Sequence, residues 1–119
     1  MKQRKRIAIT MGDPAGIGPE IIVKALSHVE IYQKCIPVVI GDYAALADAV
    51  RFCNLPVKLQ EVSDVIEAKG QFGNIDFMNR NKLQAGQWEY KKNSAECGEA
   101  SFEYVVHGIK LAMDGKVQA

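Results

Sequence analysis

The residues whose types and spacing could support chemistry are concentrated in one loop near the start of the chain, the segment TMGDPAGIGPE over residues 10–20. An apolar run precedes this loop. Pro19 and Glu20 predict a helix after it, since proline suits the first helical position and an acid favours the positive end of the helix dipole. Amides at such a helix start attract anions, and the dipole contributes about 0.3–1 kcal/mol at an exposed site. Glycines at 16 and 18 would allow a ligand close to the backbone and permit positive φ. The loop therefore predicts contact with a phosphate or nucleotide, with a plain strand-to-helix turn as the alternative.

The glycine spacing in this loop matches neither of the common phosphate-binding motifs. It is G-x-x-x-G-x-G from Gly12, so it lacks the G-x-G-x-x-G of dinucleotide-binding folds, and no Gly-Lys-Ser/Thr follows to form a Walker A loop. Asp13 is unexpected beside an anion, because its carboxylate would repel phosphate. It can cap loop amides as an Asx-turn, hydrogen-bond a ribose or polar substrate group, or hold a cation. The sequence leaves these three roles open.

The elements around the loop alternate between strand and helix with short connections. This alternation predicts an α/β fold, a parallel-rich sheet covered by helices, in which ligands bind at the carboxyl ends of the strands. In the first helix, residues 21, 22, 25, 26 and 29 recur at helical spacing and are expected to pack on the sheet. Asp42 is the predicted N-cap of the second helix. The predicted order is a strand over 6–11, a helix over 19–29, a strand over 36–41, a helix over 43–53 and a strand over 57–62.

The pattern weakens after the third strand and returns near residue 93. We predict an irregular hairpin or lid-like excursion over residues 63–92, with 74–78 as its best strand candidate. Asn93 and Glu96 resemble a capping box that begins a long helix. The stripe of this helix that is predicted to be buried leaves His107 facing solvent. After the helix, residues 117–119 resemble the opening of another strand. The stripe comprises Cys97, Ala100, Ser101, Tyr104, Val105, Gly108, Ile109 and Ala112.

Composition limits the class of protein. The chain has 119 residues and a net charge of +1, which argues against a broad nucleic-acid or membrane surface. The basic start, residues 1–6, is predicted to be a solvated tail, with a nucleic-acid patch as the minor alternative. No apolar run approaches the about 20 residues of a membrane span. The chain has three cysteines, Cys35, Cys53 and Cys97, with no C-x-x-C spacing. This usage favours a reducing, cytoplasmic location without a catalytic thiol.

Two segments resemble a known enzyme family. Residues 9–21, ITMGDPAGIGPEI, look like the opening of 4-hydroxythreonine-4-phosphate dehydrogenases, the PdxA family. The order Gly-Asp, then Gly-Ile-Gly-Pro-Glu, also resembles the start of isopropylmalate and isocitrate dehydrogenases, with Pro14 and Ala15 as two extra residues. Residues 94–104 are similar to the family's helix after its central excursion. The resemblance spans nearly the whole chain but well under half of a full family member, so residues 1–119 are expected to be the amino-terminal α/β segment of a longer two-domain dehydrogenase.

The resemblance implies a cytoplasmic, homodimeric enzyme whose active site lies in the cleft between its two domains. Such enzymes oxidise the secondary hydroxyl of 4-phosphooxy-L-threonine with NAD or NADP, and the resulting β-keto acid loses carbon dioxide on the way to pyridoxal 5′-phosphate. A divalent metal (Zn, Mg or Co) held by histidines would act as a Lewis acid. Those histidines and the substrate-gripping residues belong to parts of the family chain beyond Ala119. No catalytic or metal-binding residue is therefore assigned here, and neither His28 nor His107 is taken as a ligand.

The shared opening with isopropylmalate dehydrogenases implies that Gly16, Ile17 and Gly18 lie close to the nicotinamide end of the cofactor and that Asp13 faces the cleft. The predicted cofactor-binding residues are thus Asp13, Gly16, Ile17 and Gly18. The expected substrate is a phosphorylated hydroxy acid, and relatives that act on threonate or erythronate phosphates leave its identity open. This chain alone is expected to be an inactive segment. The competing hypotheses are a non-enzymatic nucleotide- or phosphate-binding module that uses the same loop, and a structural or assembly role in which an exposed sheet edge drives self-association.

Overall fold

A computed structural model describes residues 4–80 and 95–119, with side chains in the last helix from Cys97 onward. The described strands form one parallel sheet in the order β1-β2-β4-β3, and helices cover it. A 3₁₀ turn over Val65–Glu67 lies between β3 and β4. The elements are β1 Lys5–Thr10, α1 Gly18–Ala25, α2 Val29–Lys34, β2 Cys35–Gly41, α3 Tyr43–Cys53, β3 Lys58–Glu61, β4 Asn74–Asn79 and α4 Ala95–Met113.

The centre of the sheet is β2, which pairs in parallel with β1 on one side and β4 on the other. Its residues Val38, Val39 and Ile40 have no solvent exposure. A strand covered on both faces must be apolar at consecutive positions, which is why this run does not alternate with polar residues. The predicted parallel α/β fold is confirmed.

The helices lie on both faces of the sheet. The helices α1 and α3 contact each other, whereas α4 contacts β1 and β2. Right-handed crossovers place α1 and α3 on one face and α4, which returns in the opposite direction, on the other. Gly108 allows α4 to approach closely, because a Cβ at that position would lie 3.2 Å from the Thr10 methyl group and 3.6 Å from Ile40.

The first helix is shorter than predicted. It ends at Ala25, and α2 begins at Val29 after a break. The Ser27 hydroxyl donates to the Val23 carbonyl at 2.7 Å, a side-chain bond that competes with continued helix. His28 is then extended. Of the five positions expected to pack on the sheet, 21, 25 and 29 are exposed, while 22 and 26 are buried.

The basic start of the chain is only partly a solvated tail. The Arg4 guanidinium donates to the carbonyls of Tyr32 and Gly70, each at 2.8 Å. Arg6 lies in β1 and donates from Nε to the Val65 carbonyl at 3.0 Å. The Gly70 and Val65 carbonyls belong to the connection between β3 and β4, which therefore lies beside the start of β1. The two arginines therefore fasten that connection.

Part of the predicted excursion over 63–92 belongs to the sheet. The strand candidate 74–78 is confirmed as β4, which lies between β2 and β3. Asp64 and Glu67 form a capping box on the 3₁₀ turn that precedes it. The buried Asp76 carboxylate accepts from the amides of Lys69 and Gly70, at 3.2 and 3.1 Å. Residues 81–94, including the rest of the predicted lid and Asn93 of the proposed capping box, lie outside the described residues.

The long helix α4 buries a different stripe from the one predicted. Val105, Ile109 and Ala112 are exposed, and Leu111 is buried in their place. His107 turns partly inward, and its Nε2 atom is buried without a hydrogen-bond partner. The prediction of a solvent-facing His107 is therefore wrong. The helix itself carries apolar residues on more than one face, so apolar periodicity alone could not predict which face packs on the sheet.

Residues 117–119 lie along the free side of β1. The Gln118 amide donates to the Arg6 carbonyl at 2.9 Å, and the Ala8 amide donates to the Ala119 carbonyl at 2.8 Å. Val117 is buried. These residues are not assigned as a strand, so the prediction that they open another strand stays a prediction.

Asp42 occupies the predicted N-cap position of α3, but its side chain makes no capping bond. It is fully buried and instead accepts a hydrogen bond from the Tyr104 hydroxyl. Burial and the Asp42 carboxylate raise the pKa of Tyr104, so the hydroxyl keeps its proton. This bond connects α4 with the end of β2.

Removing the Tyr104 hydroxyl tests this connection. Tyr104→Phe should lower the free energy of unfolding by about 1–3 kcal/mol, because a buried carboxylate loses a donor. Chemical denaturation of the chain measures the loss. Tyr43→Phe is the matched control, since Tyr43 is half exposed, and it should change stability by less than about 0.5 kcal/mol. Equal losses in the two variants would contradict the assignment.

The buried His107 nitrogen predicts a pH effect on stability. Burial, and then the nearby positive charge of Arg80, lower the pKa of His107 below its usual value. The folded state therefore disfavours the protonated ring, and stability is lost as pH falls through the unfolded pKa of about 6.5. Denaturation at pH about 7.5 and about 5.5 should show a smaller loss for His107→Gln than for the wild type. The exposed Val106→Gln controls for changes in helix propensity, and an unchanged loss in His107→Gln would refute the prediction.

Candidate functional site

The glycine-aspartate loop follows β1 at the carboxyl edge of the sheet, as the sequence predicted. Its first glycine, Gly12, adopts a positive φ of 78°, which glycine tolerates at no steric cost. This turn redirects the chain from the end of the strand. Gly16 and Gly18 have no such conformation, so the positive φ expected of them belongs to Gly12.

Asp13 organises the loop from within. Its Oδ1 atom accepts from the Ala15 amide at 2.9 Å, and its backbone carbonyl accepts from the Gly16 amide at 2.9 Å. Of the three roles that the sequence left open for Asp13, the Asx-turn is thus confirmed. These bonds occupy two amides of the loop, and a phosphate could reach neither without displacing Asp13.

The start of α1 is the part of the loop that remains open to an anion. Its N-cap residue, Ile17, provides no side-chain hydrogen bond to the helix. The amide of Gly18, at the first helical position, has no acceptor within the helix because of helix geometry. Ile17 itself is half exposed. The chemistry available here is therefore that of a helix start with its partial positive charge facing outward.

Gly18 is required by the protein's own packing. A Cβ atom at this position would lie 2.4 Å from the Met11 carbonyl oxygen, which is well inside van der Waals contact. At Gly16 the nearest atom would be the Asp13 carbonyl oxygen at 3.4 Å, an ordinary contact. The fold thus needs Gly18 for its close packing and Gly12 for its positive φ, whereas at Gly16 it would accept a side chain.

A cavity of about 490 Å³ lies beside the loop, between the start of α1 and the helix α3. This volume falls within the range of about 300–1,000 Å³ that is usual for small-molecule sites. Of the four predicted cofactor-binding residues, Gly16 lines it, whereas Asp13, Ile17 and Gly18 do not. Its apolar wall comes from Pro14, Pro19, Ala45, Ala49 and Phe52.

Charged side chains surround the mouth of this cavity. Glu20 forms an ion pair with Lys24 at 3.1 Å, and Asp48 forms one with Arg51. The hydrogen bond with Glu20 raises the pKa of Lys24. The paired residues are three or four positions apart and open to solvent, so water screens both pairs and each contributes little to stability. The cavity is therefore lined by charged residues as well as by its apolar wall.

Sequence reasoning missed a second group of polar side chains at the same edge of the sheet. Arg80 directly follows β4, and its amide donates to the Gly41 carbonyl at 2.8 Å. Its guanidinium forms an ion pair with the Glu103 carboxylate on α4, with hydrogen bonds of 3.0 and 2.8 Å. Asn79 accepts from the Tyr43 amide at 3.3 Å. The position of Asn79 and Arg80 at the end of a strand was the available signal, but β4 lay in the segment assigned to the excursion.

The described residues contain no group of three or more histidine, cysteine, aspartate or glutamate side chains that could hold a metal ion. His28 and His107 therefore remain unassigned. Cys97 is buried, Cys35 and Cys53 are partly buried, and none of these three forms a disulfide in the part of the chain that the structure describes. Burial raises the pKa of Cys35, so this thiol is held in its unreactive protonated form.

The two glycines provide a test of the loop geometry. Gly18→Ala should lower the free energy of unfolding by about 1–3 kcal/mol, because the new methyl group overlaps the Met11 carbonyl. Gly16→Ala should change it by no more than about 0.5 kcal/mol. Thermal or chemical unfolding of both variants makes the comparison. A Gly18→Ala variant as stable as Gly16→Ala would mean that α1 does not pack on the end of β1 in this way.

Known proteins of similar sequence match this chain over nearly its whole length. A protein of Clostridium botulinum, provisionally named a D-threonate 4-phosphate dehydrogenase, is 36% identical over 113 residues, which is 95% of this chain and 34% of its own length. A protein of Halalkalibacterium halodurans with the same provisional name is 40% identical over 119 residues, or 100% of this chain and 36% of its own. The chain thus spans about a third of the length of the curated relatives that it matches.

A solved structure agrees with both the sequence and the fold. The crystal structure of a 4-hydroxythreonine-4-phosphate dehydrogenase from Burkholderia phymatum superposes with a TM-score of 0.93 and 34% identity, and the match covers 98% of this chain and 35% of that one. Residues 33–119 match the family described as pyridoxal phosphate biosynthetic protein PdxA. The resemblance noted in the loop and in α4 is confirmed, and the chain belongs to the PdxA family.

Proposed function

We propose that this chain forms part of an NAD(P)-dependent dehydrogenase that oxidises 4-phosphooxy-L-threonine in pyridoxal 5′-phosphate biosynthesis. The oxidation of the secondary hydroxyl yields a β-keto acid, which then loses carbon dioxide. The observation that carries this proposal is the family match over residues 33–119, whose description names that pathway. It is supported by the position of the loop at the carboxyl end of β1, where parallel α/β folds bind ligands.

A second candidate substrate is D-threonate 4-phosphate. The provisional names of the Clostridium botulinum and Halalkalibacterium halodurans relatives favour it. The two candidates share a carboxylate and a phosphate on a four-carbon chain, and they differ in having an amino group or a hydroxyl at the second carbon. One site could therefore use the same phosphate and hydroxyl contacts for both, and the discrimination would rest on the group that meets the second carbon.

The residues of the loop fit a nicotinamide cofactor, which would supply the hydride acceptor. Asp13, Gly16, Ile17 and Gly18 would lie beside it, as the resemblance implies. Gly16 lines the cavity between α1 and α3, and the exposed start of α1 favours a negatively charged group. In this arrangement Asp13 acts through the loop, because its carboxylate holds the Ala15 amide. The apolar wall of the cavity would exclude water from one side of the ligand.

The other predicted properties of the parent enzyme remain proposals. These are the divalent metal with ligands outside this chain, the homodimer and the cytoplasmic location. No helix in the described parts of the chain is long and apolar enough to cross a membrane. We expect the chain by itself to show no NAD(P)-dependent oxidation of either phosphate, because the loop offers binding groups but no assigned acid, base or metal ligand.

A chimera tests the proposed function. This chain would replace the matched third of the Burkholderia phymatum enzyme, and activity would be followed by NADH or NADPH absorbance with both substrates. Gly16→Asp should raise the KM for the cofactor by about tenfold, since its side chain would enter the cavity and its carboxylate would oppose a negatively charged group of the cofactor at the start of α1. Gly16→Ala, which adds bulk without charge, should change this KM by less than about twofold.

The outcomes of this test separate the parts of the proposal. An unchanged cofactor KM in Gly16→Asp would remove the loop from the cofactor site. A chimera that oxidises D-threonate 4-phosphate with the higher kcat/KM would select the second substrate. A folded chimera that oxidises neither phosphate would overturn the proposed function for this chain.

A further inference from the structure

The chain leaves the neighbouring strands β2 and β4 towards opposite faces of the sheet. From β2 it runs into α3, which lies with α1 on one face, and from β4 it continues to α4 on the other face. From β1 it turns to the same face as from β2. Open parallel α/β sheets bind ligands outside the carboxyl ends of the strands, at the crevice where this direction changes. The topology therefore indicates a binding position between the ends of β2 and β4, separate from the glycine loop after β1.

Hydrogen bonds fix the geometry of this position, which we call the β2–β4 crevice. The Arg80 amide donates to the Gly41 carbonyl at 2.8 Å, and the Tyr43 amide donates to the Asn79 side chain at 3.3 Å. Both bonds connect the end of β4 with the end of β2. The Arg80 side chain then reaches Glu103 on α4, whereas α3 begins at Tyr43 on the other face. The β2–β4 crevice thus lies between the start of α3 and the Arg80 guanidinium.

The protein uses only part of the hydrogen-bonding capacity of Arg80. The Nε and Nη2 atoms donate to Glu103, whereas Nη1 donates to no acceptor among the residues that the structure describes. The Arg80 side chain is 29% exposed, so a ligand in solution can reach it. Arginine presents its donors in a planar fork that matches phosphate oxygens. Because Glu103 already holds the guanidinium in place, a ligand would bind it with little further loss of side-chain entropy.

We propose that the β2–β4 crevice is a phosphate subsite in which Arg80 binds the phosphate oxygens. It is distinct from the glycine loop, because β1 and β4 are two strand spacings, or about 10 Å, apart. The phosphate belongs either to the phosphorylated hydroxy acid or to the diphosphate of the cofactor. That assignment rests on the proposed function, whereas binding of phosphate to the β2–β4 crevice does not.

The charges around the β2–β4 crevice set the strength of this subsite. Glu103 is paired with Arg80, and the buried Asp42 accepts from the Tyr104 hydroxyl, but both carboxylates still oppose an anion. The start of α3 acts in the other direction, because Asp42 makes no capping bond and the helix end carries a partial positive charge. We therefore expect weak binding of free phosphate, with a dissociation constant on the order of 1–10 mM.

Titration of the chain with inorganic phosphate at constant ionic strength tests the subsite, with the NMR shift of the Tyr43 amide as the readout. Arg80→Gln should weaken phosphate binding by about fivefold, because it removes the charge and the fork. Glu103→Gln keeps an acceptor for Arg80 but removes a repulsive charge, so it should tighten binding by about threefold. Lys110→Gln is the charge-matched control on an exposed part of α4, and it should change binding by less than about twofold.

The opposite signs expected for Arg80→Gln and Glu103→Gln distinguish a binding role from a structural one. If the ion pair only held α4 in place, both variants would weaken phosphate binding together, and that result would overturn the proposal. Equal effects of Arg80→Gln and Lys110→Gln would also overturn it, because net charge alone would then explain them. Should Arg80→Gln fail to fold, Arg80→Lys keeps the charge without the fork and should still weaken binding by about threefold.

Kinetics of the chimera with the Burkholderia phymatum enzyme assign the phosphate. Arg80→Gln should raise the KM for the phosphorylated acid by about fivefold if the subsite takes the substrate, and the KM for the cofactor if it takes the diphosphate. Two unchanged KM values would overturn the subsite in the enzyme. A chimera that oxidises neither phosphate would contradict the proposed function but would leave the phosphate titration of the chain intact, so the two failures are distinguishable.

Discussion

The close contact between the first turn of α1 and the end of β1 is the constraint on which the candidate site depends. Gly18 lies so near the Met11 carbonyl that no side chain fits between them. With the two elements held this closely, the connecting residues must turn sharply at Gly12 and are held by Asp13. The start of α1 consequently lies beside the cavity between α1 and α3.

A second set of contacts connects α4 with the carboxyl ends of β2 and β4. The Tyr104 hydroxyl donates to the buried Asp42, and Arg80 forms an ion pair with Glu103. A hydrogen bond or ion pair that is partly shielded from water costs more to break than an exposed one, since the separated groups remain poorly solvated. These bonds therefore hold α4 in place against the sheet.

Much of the fold could be predicted from local patterns, and the failures have separate causes. The helix starting near Pro19, the buried strand over 36–41 and the loop position were all recoverable, because glycine, proline and apolar periodicity act within a few residues. The inward turn of His107 and the break after Ala25 were not. The orientation of His107 was not recoverable because α4 has apolar residues on more than one face. The break was missed because the Ser27 hydroxyl bonds to the Val23 carbonyl, which apolar periodicity does not signal.

The sequence by itself determined the order of the elements, the parallel α/β class and the loop that carries the candidate site. It did so because backbone propensities and the positions of glycine and proline are local properties. Only the tertiary structure decided the strand order β1-β2-β4-β3 and the partner of Asp42. The bond between Asp42 and Tyr104 joins residues 62 positions apart. Such pairings follow from which surfaces meet when the whole chain packs, and no local pattern encodes them.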